Sequence, residues 1–306
     1  MTGQAQAGHT ARCGFAALVG RPNVGKSTLL NALLGRKVSI VSPRPQTTRT
    51  RIHGVLTRPG MQIVFVDLPG IHVKQPRAIN RYMNRTALAS LADSDVNLFV
   101  IEALRWTEED ERALAELRAA GRPILLLINK SDRAQPRSRL LPFIAEVSAK
   151  ADFAQVVPLS ALKRKNLDRL PELIAGYLPE SPLLFPPEQV TDVSDRFMAA
   201  EIVREKLTRR LQEEVPYGLV VEVEGMGPAE DEPGKLVIQA VIWVERAGQK
   251  AIVIGKGGEL LKEVGRAARL DLKHYFGKPV HLELWVKVRE GWSDDESALR
   301  RFGYEA

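Results

Sequence analysis

The hydrophobic pattern of the first 180 residues alternates between short apolar runs and amphipathic segments. Apolar runs predict β-strands, and segments with apolar residues three and four positions apart predict helices between them. The run Ile124-Leu125-Leu126-Leu127-Ile128 is apolar throughout, as a central parallel strand requires. We therefore predict an α/β fold with a mostly parallel sheet and flanking helices. The predicted strands are 15–19, 51–56, 61–67, 96–101, 123–129 and 155–159, and the predicted helices are 25–34, 108–119, 140–149 and 167–178.

The pattern changes where prolines interrupt it at positions 179, 182, 186 and 187. Proline cannot donate a backbone hydrogen bond, so a cluster of prolines is typical of a linker between domains. A chain of 306 residues also exceeds the usual size of one domain. We predict a first domain at 1–180, a linker at 181–190 and a second domain at 191–306.

The second domain has a different order of elements, which predicts a smaller α+β domain. It opens with a helix whose N-cap is Ser194 or Asp195. An acidic loop at 225–234 separates its first two strands. By propensity alone, Ile252-Val253-Ile254 favours a strand. The remaining predicted elements are strands 218–224, 235–245 and 280–288 and a helix at 259–276.

Composition limits the class of protein. The single cysteine, Cys13, rules out an intramolecular disulfide framework. No stretch approaches the roughly 18 consecutive apolar residues of a membrane-spanning helix, and the N-terminus has no apolar signal-peptide core. We expect a soluble cytoplasmic protein.

The charge is positive and unevenly distributed. Lysine and arginine number 44 against 37 acidic residues, for a net charge of +7, which is compatible with a polyanionic partner. Residues 1–66 hold nine basic residues and no acidic one, whereas 181–306 hold 18 against 22. Within the second domain, 246–278 hold eight basic residues against three acidic ones, which is the local concentration that a nucleic-acid face needs; an ordinary solvated helix face is the alternative.

The first predicted strand leads into a stretch that matches the pattern G-x-x-x-x-G-K-[S/T]. The stretch is Gly20-Arg21-Pro22-Asn23-Val24-Gly25-Lys26-Ser27-Thr28. Such a loop aims backbone N–H groups at phosphate oxygens, at the positive end of a helix dipole. Lys26 would reach the β- and γ-phosphates, and the Ser27 hydroxyl would ligate the accompanying Mg²⁺. The stretch predicts a nucleoside triphosphate site.

Three later segments follow predicted strands and belong at the same edge of the sheet. They are Asp67-Leu68-Pro69-Gly70, Asn129-Lys130-Ser131-Asp132 and Ser160-Ala161. A carboxylate at Asp132 would accept hydrogen bonds from both N1–H and N2–H₂ of guanine, a pair of donors that adenine does not offer. The N-K-x-D segment therefore favours GTP over ATP.

The order and spacing of these motifs resemble those of translation-factor-type GTPases over the first 180 residues. Over residues 12–292 the chain resembles the bacterial Era GTPases, which join a P-loop GTPase domain to a type II KH RNA-binding domain. The resemblance implies GTP, GDP and Mg²⁺ as ligands. It also implies that Asn129 contacts the guanine edge, that Lys130 lies along the base and that the Ser160-Ala161 backbone donates to the guanine carbonyl.

The resemblance assigns further roles around the γ-phosphate. Asp67 would act on Mg²⁺ through a water molecule, and the Gly70 amide would meet the γ-phosphate. In a mobile loop at 35–50, the segment Gln46-Thr47-Thr48-Arg49 resembles one whose threonine ligates Mg²⁺. Alignment on the arginine favours Thr48 over Thr47.

Catalysis is expected to be slow without help. Ile71 follows the Asp67-x-x-Gly70 motif, where Ras-type enzymes have a glutamine that orients the attacking water. Asn23 matches relatives in which an asparagine helps to bind a K⁺ ion in place of an arginine finger, so K⁺ stimulation is our hypothesis. The catalytic candidates are Lys26, Thr48 and Asn23, and no residue is named as a general base.

In the second domain, Ile254-Gly255-Lys256-Gly257-Gly258 resembles the G-x-x-G loop of KH domains, which clamps about four nucleotides of single-stranded RNA. A short helix precedes that loop in KH domains, so the resemblance overrides the strand prediction at 252–254. The following helix would add positive charge on the RNA side. Its basic residues are Lys262, Arg266, Arg269 and Lys273.

The function that the resemblance implies is ribosome assembly by a monomeric GTPase. Its RNA target would be 16S rRNA near the 3′ end, in the 30S subunit, under nucleotide control. Two other functions fit part of the sequence. One is an RNA-binding protein with a static nucleotide-binding scaffold, and the other is a signalling GTPase that associates peripherally with the inner membrane face.

Overall fold

A computed structural model describes residues 11–44, 47–69, 78–211, 215–230 and 232–302. These residues form two compact units. The first contains the described parts of 1–38, 51–71 and 86–192, and the second contains those of 39–50, 72–85 and 193–306. Both units are therefore discontinuous in sequence. The predicted domain boundaries at 180 and 190 stay a prediction.

The first unit is a sheet with helices on both faces. Within the described residues, the seven strands follow the order β2-β3-β1-β4-β5-β6, with β7 paired to the start of β1. Only β2 and β7 run antiparallel to their neighbours, so the predicted α/β fold is confirmed. The strands are β1 (Ala11–Val19), β2 (Ile52–Arg58), β3 (Met61–Asp67), β4 (Val96–Glu102), β5 (Ile124–Asn129), β6 (Gln155–Pro158) and β7 (Glu180–Ser181). The helices are α1 (Lys26–Leu34), α2 (Ala78–Asp93), α3 (Glu108–Ala119), α4 (Leu140–Ser148) and α5 (Leu170–Ala175).

Alternation along the central strands builds a core on each face of this sheet. Leu98 and Leu125 point to the face covered by α1 and α5, whereas their neighbours Phe99 and Leu126 point to the face covered by α3 and α4. All four side chains are fully buried. Burial on both faces explains why these strands are apolar at every position.

The proline-rich segment lies along the first unit rather than away from it. The Gln62 side chain, which is fully buried on β3, accepts hydrogen bonds from the backbone N–H groups of Leu184 (2.8 Å) and Phe185 (2.9 Å). Its amide nitrogen donates to the Phe185 carbonyl at 2.8 Å. One glutamine therefore fixes the middle of the predicted linker to the sheet.

The second unit contains an α+β domain with the element order αββααβ. Its sheet has the order β10-β9-β8, with β10 parallel and β8 antiparallel to β9. β8 runs past a bulge between Val223 and Gly225 into the expected acidic loop. The elements are α6 (Asp195–Arg210), β8 (Leu219–Pro228), β9 (Leu236–Val244), α7 (Ala247–Ile254), α8 (Glu259–Phe276), β10 (Val280–Val288) and α9 (Glu296–Arg301).

Residues 252–254 end a helix, so the strand that propensity favours there is wrong and the helix that the KH resemblance implies is confirmed. β-branched residues form a helix here because one face of α7 packs on the sheet. Val253 is fully buried in the core formed by α6, α8 and the sheet, whereas Ile252 remains half exposed. The N-cap of α6 is Ser194, whose hydroxyl accepts from the Phe197 N–H.

The described residues of 39–50 belong to the second unit and are fixed to it by buried hydrogen bonds. The buried guanidinium of Arg49 donates to the carbonyls of Pro216 and Leu219, each at 2.7 Å. The α6 side chain Glu205, which is also buried, accepts from the Val41 N–H at 3.0 Å. Charged groups on α6 and backbone groups of this loop therefore satisfy each other.

The first half of α2 supplies a small apolar core of its own. Ile79, Tyr82 and Met83 pack with Val220 of β8 and with Trp292 and neighbouring residues of the C-terminal segment. Asp294 accepts a hydrogen bond from the Ala78 N–H at 3.0 Å, where α2 begins. The second unit is therefore completed by two segments from early in the chain.

Candidate functional site

Two glycines shape the loop between β1 and α1. Gly20 has φ 148°, and a Cβ there would lie 2.2 Å from the Val100 carbonyl oxygen. Gly25 has φ 102°, and a Cβ there would lie 2.5 Å from the amide nitrogen of Asn129. Glycine is required at both positions because of conformation and because of space. The backbone of the loop thus comes close to β4 and to the N-K-x-D segment.

Lys26 begins α1 and is held inside this loop. Its ammonium donates to the carbonyls of Gly20 (2.7 Å) and Arg21 (3.3 Å). Burial lowers the pKa of Lys26 to about 8, with the Arg21 charge acting in the same direction and Asp67 opposing it. A buried ammonium that burial destabilises is suited to an anionic ligand, which would restore its charge balance.

Ser27 and Asp67 meet at the end of β3. The Ser27 hydroxyl donates to the Asp67 carboxylate at 2.7 Å, and Asp67 is fully buried. A hydroxyl and a carboxylate are oxygen donors of the kind that Mg²⁺ prefers, so these residues fit the predicted ion. Thr48 is buried within the second unit, and its role as a magnesium ligand stays a prediction. Gln46, Gly70 and Ile71 lie outside the described residues.

Asn129 joins the phosphate loop to the predicted base site. Its amide nitrogen donates to the Val24 carbonyl at 2.8 Å, and its oxygen accepts from the backbone N–H groups of Lys130 (2.8 Å) and Ala161 (3.0 Å). The Asn129 side chain is 2% exposed, and its hydrogen bonds link the phosphate loop, the N-K-x-D segment and the Ser160-Ala161 segment. Its contact with guanine stays a prediction.

Asp132 is placed by the neighbouring predicted segment. The Ser160 hydroxyl donates to one Asp132 carboxylate oxygen at 2.5 Å, and the same hydroxyl accepts from the Lys163 N–H at 3.1 Å. Asp132 itself is half-buried. The carboxylate is therefore oriented before any base is bound, which lowers the entropy cost of binding.

Sequence reasoning assigned Arg21 only as part of the loop and did not identify its partners. The Arg21 guanidinium contacts Asp110 on α3 (3.1 Å) and Glu102 at the end of β4 (3.0 Å), and Glu102 also pairs with Lys130 (3.2 Å). One local signal was present, because Thr107 and Asp110 form a capping box at the start of α3. The link from Asp110 to Arg21 depends on the fold.

The predicted RNA-binding loop joins α7 to α8. Gly255, Gly257 and Gly258 have φ values of 75°, 62° and 82°, so each has a backbone conformation that favours glycine. Nothing lies within 4 Å of a Cβ built at Gly257 or Gly258, and Lys256 is exposed. The backbone of this loop is accessible to a polyanion.

The basic and acidic side chains of α8 have different surroundings. Asp271 contacts Lys206 and Glu263 contacts Arg210, both on α6. No ion pair occupies Lys262, Arg266 or Arg269 within the described part of the chain, and all three are exposed. Two of the three acidic residues of α8 are engaged by α6, and the third, Glu259, is exposed in the first turn. The exposed basic residues therefore outnumber the remaining acid, which leaves this helix with a net positive exposed charge.

Two family models match the chain. Residues 15–130 match the 50S ribosome-binding GTPase family, and residues 214–293 match the KH domain family. The first match contains the phosphate loop and the start of the N-K-x-D segment, and the second contains the glycine loop.

Similar proteins cover nearly all of the chain. GTPase Era of Stenotrophomonas maltophilia (strain R551-3) is 56% identical over 96% of this chain and 97% of its own length. GTPase Era of Marinobacter nauticus is 49% identical over 96% and 95%. A crystal structure of an Aquifex aeolicus Era variant bound to GDP and AlF₄⁻ matches with a TM-score of 0.92 at 43% identity, over 96% of this chain and 99% of that one. A structure of Era with MgGDPNP and nucleotides 1506–1542 of 16S ribosomal RNA matches with a TM-score of 0.92 at 44% identity, over 97% and 100%.

Proposed function

The chain belongs to the Era family of GTPases, and from this premise we propose that it binds GTP and GDP with Mg²⁺, hydrolyses GTP, and binds 16S rRNA through its KH domain during assembly of the 30S subunit. The observation that carries the nucleotide proposal is the Asn129 side chain. It joins the phosphate loop at Val24 to the base-site loop at Ala161, so the two halves of a GTP site are one hydrogen-bonded structure.

The residues of the site divide the work of binding GTP. The loop N–H groups and the Lys26 ammonium would bind the phosphates, and Ser27 and Asp67 would hold Mg²⁺, with Thr48 as a further ligand. When bound, Mg²⁺ would neutralise part of the negative charge on the β- and γ-phosphate oxygens. The buried state of Lys26 keeps water from weakening its interaction with that charge.

The choice of guanine rests on Asp132. In Asp132→Asn, an amide replaces one carboxylate oxygen, so a donor faces a guanine donor while a xanthine carbonyl gains a partner. We expect the affinity for GDP to fall and the affinity for xanthosine diphosphate to rise. Titration calorimetry with both nucleotides measures this, and unchanged GDP preference would contradict the assignment.

Hydrolysis is proposed to be slow and stimulated by K⁺. Asn23 has a left-handed backbone, with φ 65°, in the exposed part of the phosphate loop. A K⁺ ion near this position would stabilise the charge that develops in the transition state, as an arginine finger does. Turnover in equal concentrations of KCl and NaCl tests the proposal, and equal rates would contradict it.

The RNA proposal rests on the open glycine loop and the exposed basic residues Lys262, Arg266 and Arg269 of α8. One relative binds nucleotides 1506–1542 of 16S rRNA, and we propose the same segment as the ligand of this chain. In the double variant Lys256→Asp, Gly257→Asp, two carboxylates would face the RNA backbone. We expect RNA binding to be lost and GDP affinity to be unchanged, and a loss of both would contradict separate sites.

Nucleotide control of RNA binding is supported by the composition of the second unit. Residues 39–50, which include the predicted magnesium ligand Thr48, belong to the same compact unit as the KH elements. A change in the conformation of this loop would therefore alter contacts within the unit that contains the KH elements. RNA affinity measured with GDP and with GDPNP tests this control, and equal affinities would favour a static scaffold.

We propose that the protein acts in the cytoplasm as a monomer. No helix in the described ranges is long and apolar enough to cross a membrane. Peripheral association with the inner membrane face is a separate hypothesis that rests on basic surface charge alone. Sedimentation with vesicles of anionic phospholipid, with and without RNA, distinguishes binding to lipid from binding to RNA.

A further inference from the structure

We propose that Glu102 is a positioning residue of the nucleotide site, whose carboxylate links the phosphate loop to the guanine-recognition segment. One carboxylate oxygen accepts a hydrogen bond from Arg21 at 3.0 Å, and the other pairs with the Lys130 ammonium at 3.2 Å. Each oxygen therefore serves a different half of the site. The inference rests on the proposed function, because it assigns a role within the GTP site.

The sheet register places Glu102 between these two segments. β4 and β5 are parallel, and Glu102 pairs with Asn129 at the last position of both strands. The backbone link continues one residue further, where the Ala103 N–H donates to the Asn129 carbonyl at 2.8 Å. Lys130 follows in a left-handed conformation, with φ 61°, which non-glycine residues adopt only when their surroundings hold them. The ion pair with Glu102 is one contact that holds it.

Arg21, the first partner of Glu102, is also held by a second carboxylate, that of Asp110. Asp110 is fully buried, and the oxygen that contacts Arg21 also accepts from the N–H and the hydroxyl of Thr107. Arg21 is thus clamped between α3 and β4, and its side chain is only 6% exposed. A planar guanidinium suits such a two-sided clamp because its donors have fixed directions.

The charges of the four groups balance one another. Burial alone would raise the pKa of Glu102, but the hydrogen bonds and charges of Arg21 and Lys130 hold it below its usual value. Glu102 is therefore ionised at neutral pH. Its loss would leave Arg21 and Lys130 facing each other without the anion between them, so they would move apart.

Such a movement would disturb binding at both ends of the nucleotide. The Arg21 carbonyl contacts the Lys26 ammonium, and Lys130 adjoins the predicted base site. Lys26 is itself a catalytic candidate, but the shorter contact of its ammonium, 2.7 Å to the Gly20 carbonyl, would remain and hold it near the phosphates. The expected signature is therefore a higher KM for GTP and a higher Kd for GDP, with kcat unchanged.

The first experiment compares Glu102→Gln with Glu108→Gln. Glu108 is an exposed α3 residue that pairs with Arg112 on the same helix, so the control makes the same change of charge away from the site. We expect Glu102→Gln to raise KM and Kd about tenfold with kcat within about twofold, and the control to leave all three unchanged. Unchanged KM and Kd, or a fall in kcat alone, would overturn the proposal.

A cycle of variants tests the link itself. If Glu102 acts through Lys130, the double variant Glu102→Gln, Lys130→Gln should bind GDP more tightly than the product of the two single effects implies. Additive effects would overturn the link to Lys130. Should Glu102→Gln fail to fold, Glu102→Asp places the carboxylate one methylene further back, so that it would no longer reach Arg21 and Lys130 together and KM should still rise. A normal KM in that variant would overturn the proposal. Failure of the unaltered protein to bind GDP or turn over GTP would instead refute the proposed function.

Discussion

At the scale of single residues, the site is prepared for its ligand at a cost to the empty protein. Lys26 is buried among backbone carbonyls, and Gly25 leaves room for Asn129 that no larger residue would leave. The first feature places a charged ammonium in a buried position, and the second packs the Asn129 amide against the backbone of the phosphate loop. A substitution at Lys26 should therefore change the stability of the free protein and its affinity for nucleotide in opposite directions.

We predict that Lys26→Met stabilises the protein without nucleotide while abolishing nucleotide binding. The pKa of Lys26 falls from 10.5 to about 8 on folding, so the unfolded chain binds a proton that the folded protein lacks between these pH values. Stability of the unaltered protein should therefore rise with pH across this window, by roughly 3 kcal/mol from this group. Below pH 8 the unfavourable contribution of the charged lysine is fully present.

Urea unfolding at pH 7 and pH 10 measures the effect. Lys26→Met should exceed the unaltered protein in stability at pH 7, and the difference should shrink at pH 10. The exposed Lys163 provides the control, because Lys163→Met makes the same substitution on the protein surface. A variant that is less stable at pH 7 would contradict the argument.

We predict that Gly25→Ala weakens GDP binding about tenfold or more, which corresponds to loss of one hydrogen bond of roughly 1.4 kcal/mol. The new Cβ would displace the Asn129 amide and break its contact with Val24. Gly35→Ala is the matched control, since Gly35 also has a positive φ, 66°, but has nothing within 4 Å of the added carbon. Equal affinities of the two variants for GDP, by titration calorimetry, would show that backbone strain alone is responsible.

At the scale of elements, local signals determine where helices and strands end. Predicted and observed bounds coincide for β3, α3, α8 and β10. The α3 start is fixed by its capping box, and α8 ends at Gly277, which has φ 65°. These signals act within a few residues, so they can be recognised in the sequence alone.

Other elements depend on distant partners, and sequence analysis missed or misplaced them. It assigned no helix at 78–93, where the apolar residues of α2 divide between two cores. It extended α5 at both ends, and it placed the first strand at 15–19, whereas β1 starts at Ala11, where it pairs with β3 on one side and β7 on the other. The apolar positions of α2 do not follow one helical face, because they serve two cores. The pairing of β1 with residues 180–181 likewise leaves no signal in the neighbouring sequence.

We predict that Gln62→Leu releases the proline-rich segment from the first unit. Two N–H groups and one carbonyl of residues 184 and 185 would lose their partner, at a cost of about 2–3 kcal/mol. Faster proteolysis within 182–189 and a lower urea midpoint are expected. Gln155→Leu, at an exposed glutamine of β6, is the control. Equal cleavage rates for the two variants would contradict the role of Gln62.

At the scale of the whole molecule, the functional segments are shared between discontinuous units. The charged contacts of Arg49, like those of Glu102, join residues far apart in sequence. Motif spacing located the loops for which we propose phosphate, guanine and RNA binding, because each is a local pattern after a strand or helix. It did not predict which charges hold those loops, since that depends on the register of the sheets.

We predict that a fragment of residues 193–306 is poorly folded on its own. It would lack Ile79, Tyr82 and Met83, and so would expose Trp292 and the other partners of the small core. Loss of this packing should cost on the order of 5 kcal/mol. Circular dichroism melting and binding of a hydrophobic dye compare the fragment with the full chain. A fragment with a cooperative transition at the full-chain temperature would contradict this prediction.

The discontinuity of the second unit also sets an order of events during synthesis on the ribosome. Arg49 leaves the ribosome 170 residues before Leu219, whose carbonyl its guanidinium contacts. At a translation rate of about 5–20 residues per second, that delay is roughly 10–30 s. The first unit is completed at residue 192, within this period, and can then fold, whereas residues 39–50 still have no finished surface to join. The newly made protein therefore acquires its sheet for nucleotide binding before its loop is anchored.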